Sequence, residues 1–457
     1  MESILISSKE LIHAKRWDFD YFSPEFKNVI QKIHQSGWEV KYLKDIITDL
    51  TDGQHGYLKH LPEGIPLLRT TNLFEDDIRL DDVRYIAPEV HNNIKRSQLK
   101  SGDVLLATIG VTLGTAAVFD SNIGEANINQ NLVKITPKPE INPLYLSLFL
   151  NSRLGRLQTM VSASKSVLPI ISYSRLNNLL IPIPPRSFQD KIAHIMQEAY
   201  SDRQNKLNQA KELLQGIDQY VFGVLNISPE KVEENKRFLK SISSIRGGRF
   251  DVEFNMGFHK FDPYMNQVLP VETVTTFPKE TQDPTTQPET SFNYIDIASI
   301  DIELGEIREV SEVLGSNAPS RARQVVHTGD IIISTVRPTR GAIALIPESI
   351  NGFICSTGFS IIHPNDQVTS EYLQTALRLH TTLEQFGRRS SGSSYPAILD
   401  KDIKVTLIPV PEKSIQEEIS TEVFRCRSEA KLLRSQAESV VAIAKARVEK
   451  MILGEEE

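Results

Sequence analysis

Two long stretches of the chain contain no proline and place apolar residues every three or four positions. Ser187–Ile227 carries Phe188, Ile192, Ile195, Ala199, Ala210, Leu213, Leu214, Ile217, Val221 and Val224 on such a stripe. Ser414–Gly454 carries Ile415, Ile419, Val423, Cys426, Ala430, Leu433, Ala437, Val440, Ala444 and Met451. From Cys426 to Ala444 the steps run 4, 3, 4, 3, 4, the seven-residue repeat of a coiled-coil seam. Each stretch is 41 residues, about 60 Å if helical throughout. Ser187 and Ser414 are suited to cap them, with acids following at Asp190, Glu417 and Glu418. Equal length and one-sided stripes predict two antiparallel helices packed on each other; the alternative is two helices each folded on its own globular half. Elsewhere the pattern shortens. Gly102-Asp103 leads into Val104-Leu105-Leu106, and Gly329-Asp330 into Ile331-Ile332-Ile333, each a turn feeding a buried strand.

These likenesses belong to a larger one. Sliding the chain by 227 residues lays Leu99–Ile192 on Val326–Ile419 without a gap, with 24 of 94 positions identical. Average residue usage gives about 6% by chance, so the chain is a tandem duplication. Thr108, Thr112 and Gly114 match Thr335, Thr339 and Gly341, and Tyr145-Leu146 matches Tyr372-Leu373. Ile181-Pro182-Ile183-Pro184 matches Ile408-Pro409-Val410-Pro411, an extended lead-in to each helix because alternating prolines suit neither a helix nor a central strand. A weaker match, at an offset of 233, joins Arg16–Tyr21 to Arg249–Phe254. The Thr275–Thr290 stretch reads as a surface loop unlike its counterpart around Asp52–Gly64. The cores match and the loops do not. The predicted class is α+β: two globular mixed α/β domains, 1–186 and 228–413, separated by two long antiparallel coiled-coil helices, 187–227 and 414–457, in a pseudo-twofold tandem repeat.

Composition narrows the class. The 457 residues are 40% hydrophobic and 24% charged, enough for more than one core without a metal or disulfide staple. No apolar run approaches the roughly 18 residues of a membrane span, and the N-terminus lacks a basic segment ahead of an apolar one, so a cytoplasmic chain without a membrane partner is expected. Cys355 and Cys426 lie in segments of different predicted type, which excludes a disulfide framework. The net charge of −7, taken as a sum, argues against wrapping nucleic acid.

Catalytic patterns fail on inspection. Asn142-Pro143-Leu144-Tyr145 resembles the Asn-Pro-Pro-Tyr loop of adenine methyltransferases but lacks the second proline and any upstream Gly-rich cofactor loop; Asn142 as helix cap explains it better. Gly110-x-x-x-Gly114 lacks the Gly-Lys-Ser/Thr ending of a phosphate loop. Glu25-Phe26-Lys27 and Glu234-Asn235-Lys236 have nuclease-like spacing without the preceding Pro-Asp strand. The ten histidines form no ligand cluster, so neither catalytic nor metal residues are expected.

What remains are basic and amide-bearing clusters inside the acidic total. Ser164, Lys165 and Ser166 with Arg175 align with Arg388, Arg389, Ser391 and Ser393 with Lys401, each set ahead of a matched proline, Pro169 or Pro396. Lysine, arginine and serine neutralise and hydrogen-bond phosphate. Arg337 and Arg340 occupy the loop matching Gly110–Leu113; Arg69, Thr70 and Asn72 precede a divergent loop. Arginine reads guanine bidentately and Asn or Gln reads adenine, which adds Asn129, Gln130 and Asn131.

The chain resembles the specificity subunit of type I restriction–modification systems. The resemblance is carried by Gly102–Gly110 with Gly114, Ile128–Val133, Gly329–Thr335, Gly352–Phe359 and Ile408–Pro411 through Gln416, and by the order of repeat and helix. It implies two target-recognition domains, each reading one half of an asymmetric bipartite site in double-stranded DNA, with the paired helices setting the gap. It also implies two methyltransferase subunits docked on the helices and restriction/translocase subunits joining them. S-adenosylmethionine, ATP and Mg would bind those partners, leaving no cofactor in this chain. A duplicated scaffold for protein partners, without DNA readout, is the alternative. The change from Gly110-Val111-Thr112-Leu113 to Arg337-Pro338-Thr339-Arg340 implies that the two domains read different bases.

Overall fold

The structure, a computed structural model, describes residues 19–164, 167–227, 268–392 and 394–456. Lys165, Ser166, Ser393, Glu234, Lys236 and most of the Arg16 and Arg249 blocks therefore lie outside the described residues. The chain divides into two compact units, one of Met1–Asn205 with Gln436–Glu457, the other of Lys206–Ser435. Each long helix is shared between them, whereas the sequence expectation assigned the helices separate spans.

The first unit is built on a four-stranded antiparallel sheet in the order β2 (Ile47–Asp52), β8 (Leu132–Pro137), β5 (Val104–Ala107), β6 (Ala116–Val118). A second sheet holds β4 (Arg84–Ile86), β3 (Ile65–Leu68) and β7 (Asn127–Ile128), with β3 and β7 parallel. A two-stranded ladder pairs β1 (Glu39–Tyr42) with β9 (Leu180–Ile183). Every residue of the central strand β5 is buried, as its unbroken aliphatic run requires. Helix α1 (Pro24–His34) packs Val29 and Ile33 into the core. Its Glu25 pairs with Arg153 at 2.8 Å on the surface, the ordinary use of a helix-borne acid. Helices α2 (Pro143–Asn151) and α3 (Arg153–Ser162) follow. Asn142 caps α2 by accepting from the amides of Leu144 and Tyr145, the structural role expected of it.

The second unit repeats this frame. Strands β11 (Thr275–Thr276), β20 (Phe359–Pro364), β17 (Ile331–Ser334) and β18 (Ile343–Leu345) form its four-stranded sheet. Strands β15 (Ser311–Leu314), β12 (Ser291–Ile295), β19 (Ile354–Ser356) and β16 (Ala322–Val325) form the second, with β12 and β19 parallel. A short hairpin joins β13 (Ile300–Asp301) to β14 (Glu306–Ile307), and β10 (Val268–Pro270) pairs with β21 (Leu407–Pro409). Helices α5 (Ser370–Arg378) and α6 (His380–Arg389) each stand 227 residues beyond their counterparts α2 and α3.

Helices α4 (Arg186–Val224) and α7 (Lys413–Ile452) run 39 and 40 residues. They start one residue before Ser187 and Ser414, so the serines lie inside the first turn and do not cap. In the first unit the beginning of α4 (Ile192, Met196, Ala199) shares a core with the end of α7 (Ala444, Val448, Met451). In the second unit the end of α4 (Val221, Phe222) shares one with the beginning of α7 (Ile419, Val423), and Ala210 and Leu214 meet Ala430 and Leu433. The helices are thus antiparallel, and of the expected seam Cys426, Ala430, Ala437 and Ala444 are buried while Leu433 and Val440 are half-buried. Small Ala residues at the seam permit close approach. Cys355 and Cys426 are buried free thiols, and no described helix is long and apolar enough to cross a membrane.

Each helix is joined to its sheet by the same polar latch. The Tyr145 hydroxyl donates to Pro182 O at 2.6 Å and the Tyr372 hydroxyl to Pro409 O at 2.9 Å. Gln189 Nε2 donates to Pro184 O, and Gln416 Nε2 to Pro411 O, while their Oε1 atoms accept from the amides of Asn142 and Thr369. Removing one partner strands a buried carbonyl. Tyr145→Phe and Tyr372→Phe should each lower stability by about 1–2 kcal/mol in chemical denaturation, with closely similar losses because the two bonds are repeats of each other.

Candidate nucleic-acid interface

In the first unit backbone hydrogen bonds bring four loops to one edge, at the ends of the parallel strands β3 and β7. Gln54 N donates to Ile128 O at 3.2 Å and Asn129 N to Leu68 O at 3.0 Å, setting the 52–64 loop and Arg69 beside the Asn129–Asn131 turn. Gly53 permits this approach, since a Cβ there would stand 2.0 Å from Ile128 O. Thr108 donates to Asn131 O through both its amide and hydroxyl, at 3.0 Å each. That ties the turn to the hairpin loop Ile109–Gly114. Gly110 N donates to Pro169 O at 3.1 Å, and Ile109 bridges Ile170, adding the loop that follows α3.

The second unit assembles the matching edge with the same bonds. Thr335 donates through amide and hydroxyl to Gly358 O, Arg337 N donates to Pro396 O at 2.7 Å, and Val336 bridges Ala397. The frames agree and the surfaces differ. Gly110 has φ +77°, and Arg337 at the same place is held at φ +49°, a left-handed conformation that costs a non-glycine residue about 1–2 kcal/mol. The Arg337 guanidinium lies over the Tyr395 ring, 4.8 Å from its centroid. Tyr395 is 70% exposed, and Arg340 is exposed with no side-chain partner among the described residues. In the first unit the corresponding tips present Val111, Val167 and Leu168 to solvent.

The residues singled out from sequence divide accordingly. Gln130, Ser164, Arg175, Arg340, Ser391 and Lys401 are exposed, and Thr70, Asn129, Asn131, Arg337 and Arg389 half-buried. Arg175 donates to Ser162 O at 2.6 Å and so closes the end of α3. Arg389 Nη2 reaches Val405 O at 3.5 Å. Three residues are turned to structural use. Asn72 is 1% exposed, accepting from Arg69 N and donating to Arg79 O. Arg69 pairs with Asp82 at 2.9 Å with its side chain 18% exposed. Arg388 pairs with Glu384 one turn back, its side chain 14% exposed. The amide and guanidinium types that read bases also close turns and helix faces, and only the fold separates the two uses.

Against this geometry, the family model for the type I restriction modification DNA specificity domain matches residues 35–215 and 284–430. The chain belongs to the type I DNA specificity family. It is the DNA specificity subunit of a type I restriction–modification system, whose part is recognition and not catalysis. The putative MjaX specificity subunit of Methanocaldococcus jannaschii is 25% identical over 392 residues, 84% of this chain and 85% of that one. The EcoBI specificity subunit of Escherichia coli is 22% identical over 191 residues, so the chain spans only 40% of that relative. A solved structure concerned with complex assembly and conformational transition of the type I R-M system shares the fold. Its TM-score is 0.54 at 15% identity, over 92% of this chain and 98% of that one.

The specificity subunit also exposes candidates that sequence reasoning passed over. Tyr57, 87% exposed, follows Gln54 on the first edge, and Tyr395 stands on the second. Both lie in Gly-bearing loops, Gly53–Gly56 and Gly392, where an aromatic has no core to join. Arg337→Gly should change stability by less than about 1 kcal/mol, since relief of left-handed strain offsets the flexibility glycine adds to the unfolded chain. DNA binding of that variant should weaken in a gel shift. Asn72→Ala should cost about 1–3 kcal/mol in thermal melts and leave sequence preference unaltered.

Proposed function

We propose that the two units of this specificity subunit each read one half of an asymmetric, bipartite site in double-stranded DNA. Like frames carrying unlike tips support this reading most directly: Arg337, Arg340 and Tyr395 stand where the other unit has Gly110, Leu113 and Leu168. A cationic tip suits guanine and phosphate, and an aliphatic tip suits thymine methyl groups. In this reading Arg340 and Lys401 of the second unit, and Gln130 and Arg175 of the first, are the exposed polar contacts, with half-buried Gln54 beside them. Ser164, Lys165, Ser166, Ser391 and Ser393 flank them.

The proposed recognition domains are 1–186 and 228–413, and the antiparallel helices fix the gap between half-sites. Two methyltransferase subunits dock on the helices, and restriction/translocase subunits join through them. S-adenosylmethionine, ATP and Mg belong to those partners, and DNA as ligand assigns the work to the cytoplasm. A chain of net charge −7 gains little from non-specific attraction to phosphate, so binding depends on the assembled complex and on local cations. The test is a gel shift of the chain with its methyltransferase subunit across a salt series. Arg340→Ala and Lys401→Ala should each flatten the log–log salt slope by about one. An unchanged slope removes that residue from the interface, and loss of all sequence preference in the wild-type complex would favour a protein scaffold.

A further inference from the structure

A groove of about 430 Å³ opens in the second unit between the β13–β14 hairpin, α5 and the first half of α7. Arg427 lies in it. Its Nη1 donates to Gln374 Oε1 at 2.8 Å, and its Nε is buried without a partner. Among the described residues no carboxylate stands within 4.0 Å of this guanidinium. The nearby acids are committed elsewhere: Glu306 to Lys431 at 2.6 Å, Asp301 to Arg308 at 2.8 Å, and Glu303 to Arg434. Glu306 still attracts Arg427, but Arg378 outweighs it. Arg378 donates to the carbonyls of Gly341, Ile343, Ile302 and Glu303, and adds like charge. Burial and that neighbour press the Arg427 pKa down to about 9, and burial presses Arg378 down to about 10.

A half-buried cation whose Nε is buried without a partner and which has no anion adds little to a fold, and an apolar residue of similar volume serves as well or better. The frame does not demand it either. The first unit has Tyr200 and Asn151 at the positions equivalent to Arg427 and Arg378. The groove walls are apolar, with Ile307, Val310, Leu345 and Ile350. Phe424 stands at its mouth 73% exposed, and Leu432, two turns further along α7, is 57% exposed. Exposed Glu309 and Glu371 occupy the rim.

We infer that this groove receives an acidic side chain carried on an apolar segment of the methyltransferase subunit, with the carboxylate completing Arg427. The inference rests on the reading that this subunit docks on the helices. The rim acids select a lysine or arginine flanking that carboxylate, and the apolar walls and Phe424 take the rest of the segment.

The test measures the affinity of the full-length chain for its methyltransferase subunit, together with the melting temperature of the chain alone. Arg427→Met should weaken assembly about tenfold or more while leaving the melting temperature nearly unchanged, because relief of the unpaired charge offsets the bond lost by Gln374 Oε1. Phe424→Ser, at an exposed site, should weaken assembly several-fold without altering the melting temperature. Unchanged affinity in both variants overturns the proposal. So does a lower melting temperature for Arg427→Met combined with unchanged affinity for Phe424→Ser, which assigns the arginine to the fold. Failure of the wild-type chain to bind the methyltransferase subunit would overturn the docking reading itself.

Discussion

The structure depends on how each long helix is fastened to its sheet. A proline-alternating strand can form a backbone ladder on one side only, because the donors that would face a second neighbour are missing, and β9 and β21 each pair with a single strand. The fold supplies side chains instead. A buried tyrosine hydroxyl and a buried glutamine amide take the carbonyls of Pro182 and Pro184, and their repeats take those of Pro409 and Pro411. Since each glutamine also accepts from the residue that caps α2 or α5, one network orients strand, cap and long helix together. Recognition can then change by loop substitution while the fastening stays the same.

The Gly110-to-Arg337 exchange shows how far this can go. Only a rigid frame would hold an arginine in a backbone conformation suited to glycine, and the bonds to Pro396 and Ala397 supply that rigidity. The side chain is thereby aimed, with Tyr395 beneath it, from a fixed backbone. The first unit keeps the glycine and displays aliphatic residues. Two copies of one scaffold therefore present different chemistries.

Much of this was legible in the amino-acid sequence because duplication is a property of order. The constant offset of 227 carries over to strands β5 and β17, β8 and β20, and helices α2 and α5. The heptad stripe from Cys426 to Ala444 places Cys426, Ala430, Ala437 and Ala444 on the buried face, with Leu433 and Val440 half-buried beside them. Side-chain commitment was not legible. Asn72 and Arg388 look like readers of DNA until Arg79 O and Glu384 are found beside them, and those contacts depend on how turns and helix faces meet. Ser187 and Ser414 failed as caps because the preceding residues, Arg186 and Lys413, already adopt helical geometry. Arg427 was invisible for the opposite reason: on a helical wheel it is an ordinary surface cation, and only the hairpin and α5 cover it.

If one frame, used twice, reads two unlike half-sites, the modified sites in DNA must carry that asymmetry. Mapping methylated adenines across a genome in cells carrying the assembled complex tests it most directly. A single bipartite motif is expected, its two halves different in sequence and separated by a fixed run of unspecified bases. A motif with two identical halves, or one uninterrupted site, would contradict it.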